Sequence, residues 1–182
     1  MKNLTKKKID FSKIKIILVD CDGILTDGSL FYSEKGEEFK MFSAHDGLGI
    51  RLLSFSDISF GVLTGRFSPC LTKRCKDLGV DMLFQNIKNK REKAEEILSK
   101  LGLNFQNLAY MGDDINDLSL LKAAGFAATS ADSQDEILEV VDWVSKKGGG
   151  RGCVRSLIDL VLKKSHKFYE TQKRFTTFLC SN

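Results

Sequence analysis

At 182 residues, 42% apolar and 29% charged, the chain can build one α/β domain with a real core and is too short for two. Its net charge of +4 is mild, and the basic residues are scattered apart from Lys6-Lys7-Lys8, Lys146-Lys147 and Lys163-Lys164; this argues for an anionic small substrate and against a nucleic-acid partner. No apolar stretch approaches the roughly 20 residues of a membrane helix, and Cys21, Cys70, Cys75, Cys153 and Cys180 form no Cys-x-x-Cys pair or zinc-ligand spacing. With Ile9-Asp10-Phe11-Ser12-Lys13 interrupting any apolar signal core, a cytoplasmic protein with reduced thiols and no membrane contact is expected.

The first strand is predicted at Ile14–Asp20 and leads into Asp20-Cys21-Asp22-Gly23-Ile24-Leu25-Thr26-Asp27-Gly28. Two carboxylates two residues apart on a strand point the same way and repel; a turn at Gly23 can splay them and leave both at the mouth of a sheet. Two carboxylates in a partly dry site call for a cation. A solvated Asp/Gly turn is the alternative for this string taken alone.

Residues Ser29–Phe42 break the alternation that follows. Leu30-Phe31-Tyr32 and Phe39-Lys40-Met41-Phe42 read as two short strands around Ser33-Glu34-Lys35-Gly36-Glu37, a hairpin placed where a flap over a site would lie. A second strand, Phe60–Thr64, exits through Leu63-Thr64-Gly65-Arg66, where a hydroxyl, an exposed amide and a cation make a small anion cradle; Thr-Gly is also an ordinary strand exit. A third strand, Val80–Gln85, precedes Lys90, which opens a helix over Lys90–Leu101 with Ala94, Ile97, Leu98 and Leu101 on one face. By itself Lys90 reads as part of a solvated basic turn.

The strand Leu108–Gly112 leads into Met111-Gly112-Asp113-Asp114-Ile115-Asn116-Asp117 and a helix over Ile115–Ala124. Capping accounts for one Asp near a helix start but not for three; three carboxylates suit a hard cation such as Mg²⁺. Strands at Phe126–Thr129 and Asp142–Val144 and a helix at Cys153–Lys163 complete the pattern. Alternating strands and helices imply a doubly wound parallel sheet covered on both faces, with ligands at the carboxyl ends of its strands. With one proline and no linker or repeat, residues 1–182 are expected to form a single domain, its core about 14–162. Residues 163–182, with Phe168, Tyr169, Phe175 and Phe178, read as an amphipathic tail or a packed terminal helix.

The series Asp20-x-Asp22, Thr64, Lys90, Asp113-Asp114-x-x-Asp117 resembles the haloacid dehalogenase superfamily, over about residues 14–162. Asp20–Gly28 with its Leu-Thr-Asp-Gly tail, Asp46-Gly47-Leu48-Gly49-Ile50-Arg51 and Gly148-Gly149-Gly150-Arg151-Gly152 look like the 3-deoxy-D-manno-octulosonate 8-phosphate phosphatase family of lipopolysaccharide synthesis. The resemblance implies a Rossmann-like sheet without a cap domain and an Mg²⁺-dependent phosphomonoesterase using an aspartyl-phosphate intermediate. It implies Asp20 as nucleophile, Asp22 as general acid and base, and Thr64 and Lys90 on the phosphoryl oxygens. Mg²⁺ would be held by Asp20, the Asp22 backbone carbonyl and Asp113, with Asp114 and Asp117 in support. Asp22, Ser43, Ala44, His45, Asp46, Gly47, Arg51, Arg66, Arg74 and Lys90 match substrate positions, an Arg being suited to the sugar-acid carboxylate. His45 is a departure, other side chains being usual there. Cys21 is expected to pack, without a metal role. The motifs do not separate this substrate from the 9-phosphate of sialic-acid-type nonulosonates. Domains of this kind that serve only as oligomerising modules are a further alternative, against which the complete set Asp20, Asp22, Lys90 and Asp113 argues. The uncapped site and the apolar hairpin Leu30–Phe42 point to a homotetramer whose subunits complete one another's sites, with Gly148–Gly152 as a flexible contributor and Arg151 as a candidate to close over substrate.

Overall fold

The computed structural model describes residues 8–181. Lys6 and Lys7 of the N-terminal basic cluster, and residues 1–7 and 182 of the expected domain, lie outside them. Strands β1 (Ile16–Val19), β4 (Ser59–Leu63), β5 (Met82–Phe84), β6 (Leu108–Met111), β7 (Phe126–Thr129) and β8 (Trp143–Val144) form a six-stranded sheet in the order β5-β4-β1-β6-β7-β8. Every pairing in it is parallel.

The central strand β1 is buried on both sides. Its Ile17 and Val19 enter a core shared with α1 (Ala44–Leu53), α2 (Pro69–Leu78) and α6 (Cys153–Lys164), while Ile16 and Leu18 enter a second core shared with α3 (Lys90–Lys100), α4 (Leu118–Ala123) and α5 (Asp135–Leu138). The period-2 alternation of one continuous apolar run therefore fills both layers, as a doubly wound sheet requires. The chain builds outward from β1 to β4 and β5, then crosses back to β6. The switch point falls between β1 and β6, where a crevice opens at the strand ends.

The helices start where the local chemistry permits. Ser43, Ser68 and Asn89 each accept a backbone N–H in the first turn of α1, α2 and α3, and Pro69 occupies the first turn of α2. The helix expected over Ile115–Ala124 begins instead as a 3-10 turn, Ile115–Asp117, because Asp114 and Asp117 bond to each other's backbone N–H groups before α4 starts at Leu118. The hairpin forms, displaced from its expected register: β2 is Phe31–Ser33 and β3 is Gly36–Phe39, joined by a tight turn at Glu34-Lys35. Gly36, at φ +108, supplies the left-handed conformation that the turn needs, so the return strand begins three residues early and Lys40–Phe42 lie beyond it.

The C-terminal stretch is a packed helix, α7 (Phe168–Cys180), set against α1 and α6. Its Phe175 ring lies 5.3 Å from Phe55, and Lys167 just ahead of it pairs with Asp57 at 2.6 Å.

Candidate active site

Asp20 directly follows β1, and its N–H bonds the Met111 carbonyl of β6 at 2.9 Å, extending the sheet by one rung. That rung puts the Asp20 side chain at the switch point. The loop Cys21–Gly28 then turns away on a left-handed Gly23, φ +81. A Cβ at Gly23 would sit 1.9 Å from Asp113 Oδ2, so glycine serves both the turn and the close approach of the two motifs. The two aspartates are splayed. Asp20 faces Lys90 and the Asp113 loop, whereas Asp22 faces Lys40 and Arg66.

Lys90, the first residue of α3, is buried with its ammonium 2.9 Å from Asp20 Oδ2 and 2.6 Å from Asp117 Oδ1. Asp117 is fully buried and committed: Oδ1 takes Lys90 and the Tyr110 hydroxyl, and Oδ2 takes the Asp113 N–H at 3.1 Å. Gly112 allows this, since a Cβ there would collide with the Asp117 carboxylate. Oxygens of Asp20, Asp113 and Asp117 all lie within 4.8 Å of one another. Burial, then the Asp117 carboxylate, push the Asp20 pKa up against the pull of Lys90. Burial, Asp20 and Asp117 push Asp113 up to about 8. Burial opposes the charge on Lys90, but Asp20 and Asp117 outweigh it and hold its pKa above the ordinary value.

Asp20 Oδ1 and Asp113 Oδ1 are buried and unbonded. Three carboxylates against one ammonium, with two bare oxygens facing the same space, fit a hard divalent cation, which would supply both the missing charge and the missing partners. Asp117, its oxygens already spent, fits as the group that holds Lys90 and the Asp113 loop in place. Asp114 is exposed and caps the following turn through the Ile115 N–H. A cavity of about 280 Å³ opens over this set, lined by Asp20, Asp22, Gly23, Thr64, Arg66, Asp113 and Asp114 among others. Thr64 is buried at the end of β4, where its N–H bonds Phe84 and its carbonyl accepts from Ile87.

A family model described as haloacid dehalogenase-like hydrolase matches residues 72–155. The 3-deoxy-D-manno-octulosonate 8-phosphate phosphatase of Escherichia coli (strain K12) is 36% identical over 159 residues, 87% of this chain and 85% of the relative. The chain belongs to the 3-deoxy-D-manno-octulosonate 8-phosphate phosphatase family. A crystal structure of the Moraxella catarrhalis phosphatase of that name, in complex with magnesium ion, phosphate ion and a KDO molecule, superimposes with a TM-score of 0.86 at 34% identity, covering 91% of this chain and 95% of that one. The cobalt-bound Haemophilus influenzae phosphatase gives 0.85 at 36%, covering 91% and 98%.

Other positions matched to this phosphatase family fall into two groups. Asp22 and Arg66 line the cavity. Ser43, Ala44, His45, Asp46, Gly47, Arg51 and Arg74 do not. Arg74 reaches the Ser43 carbonyl at 3.3 Å and closes on Gly47, where a Cβ would lie 2.3 Å from its Nη2. Ala44, His45 and Arg51 are exposed on α1. Asp46 is buried and bonds the N–H groups of Gly152 at 3.2 Å and Arg155 at 2.7 Å, so its carboxylate caps α6 instead of facing a ligand.

The Gly148–Gly152 segment also departs from expectation. Gly149 and Gly150 are buried beneath the Cys21–Gly28 loop: a Cβ at Gly149 would lie 2.1 Å from the Gly23 carbonyl oxygen, and the Gly150 N–H bonds Ile24 at 2.9 Å. These glycines permit contact between two loops rather than motion of one. Arg151 is exposed and pairs with Asp27 at 3.4 Å.

Sequence reasoning missed Tyr110, Glu37 and Lys40. The Lys40 side chain is 1% exposed, its ammonium bonded to Asp22 Oδ1 and 3.2 Å from Glu37 Oε2. Nothing in Phe39-Lys40-Met41 distinguishes this lysine from a solvated one.

Proposed function

We propose that this phosphatase hydrolyses 3-deoxy-D-manno-octulosonate 8-phosphate to the free sugar acid and phosphate, with Mg²⁺, in the synthesis of lipopolysaccharide precursors. The observation that carries the reading is the pair of buried, unbonded oxygens on Asp20 and Asp113 beside Lys90, in a chain of this family. Asp20 Oδ attacks phosphorus in line with the leaving sugar oxygen, which departs with a proton from Asp22. Asp22 then takes a proton from water as that water attacks the aspartyl phosphate, releasing phosphate and restoring Asp20. Lys90 and Thr64 hold the phosphoryl oxygens. Mg²⁺, held by Asp20, the Asp22 carbonyl and Asp113 with Asp114 and Asp117 in support, supplies positive charge against those oxygens.

Arg66, at the cavity wall, is the substrate contact within one subunit. Ser43, Ala44, His45, Gly47, Arg51 and Arg74 serve substrate from the rim or from a neighbouring subunit, while Asp46 acts only by fastening α1 to the start of α6. The hairpin supports a homotetramer, because Phe31 and Phe39 are 52% and 65% exposed on one chain and a closed assembly would cover them. Residues 1–182 act as one catalytic domain with its core at about 14–162. No helix among the described residues is long and apolar enough to cross a membrane, which agrees with a place in the cytoplasm.

Phosphate release from a panel of the eight-carbon sugar-acid phosphate, its nine-carbon analogue and hexose phosphates, with and without Mg²⁺, tests the reading. The eight-carbon compound should be turned over fastest and only with Mg²⁺. Preference for the nine-carbon acid would reassign the substrate, and turnover after thorough chelation would overturn the metal.

A further inference from the structure

Asp22 is reached by two cations from different parts of the chain. Arg66, from the exit of β4, brings Nε to 3.5 Å from Oδ2 without a hydrogen bond, and its side chain is 41% exposed, so this contact is the looser of the two. Lys40, from just beyond the hairpin, bonds Oδ1, and its side chain is 1% exposed. A buried ammonium is costly to desolvate unless it is fully partnered. Here Glu37 supplies the second carboxylate at 3.2 Å, and Glu37 is itself fixed by the Ser68 hydroxyl at the start of α2. A chain of contacts thus runs from α2 through Glu37 and Lys40 to one oxygen of Asp22, leaving the other oxygen at the cavity. We infer that Lys40 is a positioning residue for the reaction, its ammonium fixing the Asp22 carboxylate so that the free oxygen meets the leaving-group oxygen and then the attacking water.

This inference rests on Asp22 as the proton donor and acceptor. The acid matters in proportion to how poorly the leaving group departs unaided, and misplacing a catalytic group by about 1 Å can cost about 100-fold. The alternative is a clip that only fastens the hairpin to the body of the fold, and such a clip has no reason to distinguish leaving groups.

The test compares kcat/KM for phenyl phosphate and 4-nitrophenyl phosphate, similar in shape but unequal in leaving-group basicity, in full-length Lys40→Met, Lys40→Arg and Asp22→Asn enzymes with saturating Mg²⁺. Lys40→Met should lose about 10-fold to 100-fold on phenyl phosphate and several-fold less on 4-nitrophenyl phosphate, and Lys40→Arg should recover much of the difference. Equal losses on the two substrates in Lys40→Met, with unequal losses in Asp22→Asn, would overturn the positioning role while leaving the acid in place. Equal losses in Asp22→Asn would remove the acid assignment, and the role of Lys40 with it. Should Lys40→Met fail to fold, Lys40→Gln, which keeps a polar head but loses the charge, takes its place: a larger loss on phenyl phosphate than on 4-nitrophenyl phosphate supports the role, whereas equal loss on both overturns it.

Discussion

At the residue scale the site is defined by charge imbalance. Asp20, Asp113 and Asp117 crowd one buried space with Lys90 as the cation between Asp20 and Asp117. In the metal-free protein Asp113 holds its proton up to about pH 8, against an ordinary value of 3.8. Between those values the folded chain keeps a proton that the unfolded chain has lost, so the stabilising contribution of the protonated form drains away as pH rises through that window. The melting temperature measured in EDTA should therefore fall from about pH 5 to about pH 8. Asp113→Asn should flatten that fall and raise the melting temperature at pH 8, while raising the Mg²⁺ requirement steeply. A metal-free protein equally stable at both ends would contradict the crowding. Asp20→Asn should abolish turnover while the fold survives, because an amide cannot attack phosphorus; the two properties are checked by phosphate release and circular dichroism.

At the element scale, two loops and a hairpin meet over the strand ends. Gly149 packs against the Gly23 carbonyl so closely that one added methyl must push the Cys21–Gly28 loop. Overpacking of this kind costs about 1–3 kcal/mol, and here it also displaces Asp22. Gly149→Ala should thus lower kcat by at least tenfold, more than its fall in melting temperature alone would explain. Wild-type kcat in that variant would show the loop contact to be irrelevant to catalysis. On the hairpin, a Phe31→Asp/Phe39→Asp double variant should dissociate the proposed tetramer and lose activity together, as read by light scattering and phosphate release. A fully active monomer would leave the shared-site proposal without support.

At the scale of the whole molecule, cation binding and folding are linked. A ligand that binds only the folded state stabilises it by about 2.7 kcal/mol at a hundred times its dissociation constant, so Mg²⁺ should raise the melting temperature well above the value in EDTA. Ca²⁺ should raise it too without supporting turnover, because its larger and looser shell does not hold the reacting groups in line. Activity with Ca²⁺ equal to that with Mg²⁺ would argue against this division of roles.

What the amino-acid sequence determined by itself was most of what is local or periodic, the hairpin register and the 3-10 start ahead of α4 excepted. The apolar runs Ile16–Val19 and Leu108–Met111 have the length and composition of strands buried on both faces, and the acidic strings follow them, Asp20 directly and Asp113 after one glycine. Chain order alone therefore put both strings at the same edge of the sheet. Lys90 was legible only through resemblance, since its surroundings in the chain are those of a solvated turn. Its burial between Asp20 and Asp117 depends on where α3 begins relative to a sheet formed by distant segments. Tertiary structure alone decided Lys40 and Asp46 as well. Lys40 meets Asp22 because the hairpin folds back by a turn whose register Gly36 shifts, and Asp46 caps α6 because α1 packs against that helix at a sequence separation of 106. Pairing between groups far apart in the chain leaves no period and no spacing to read. A charged side chain looks the same in sequence whether it ends in water or against a buried partner, and only the packed fold, by excluding water, makes the two different.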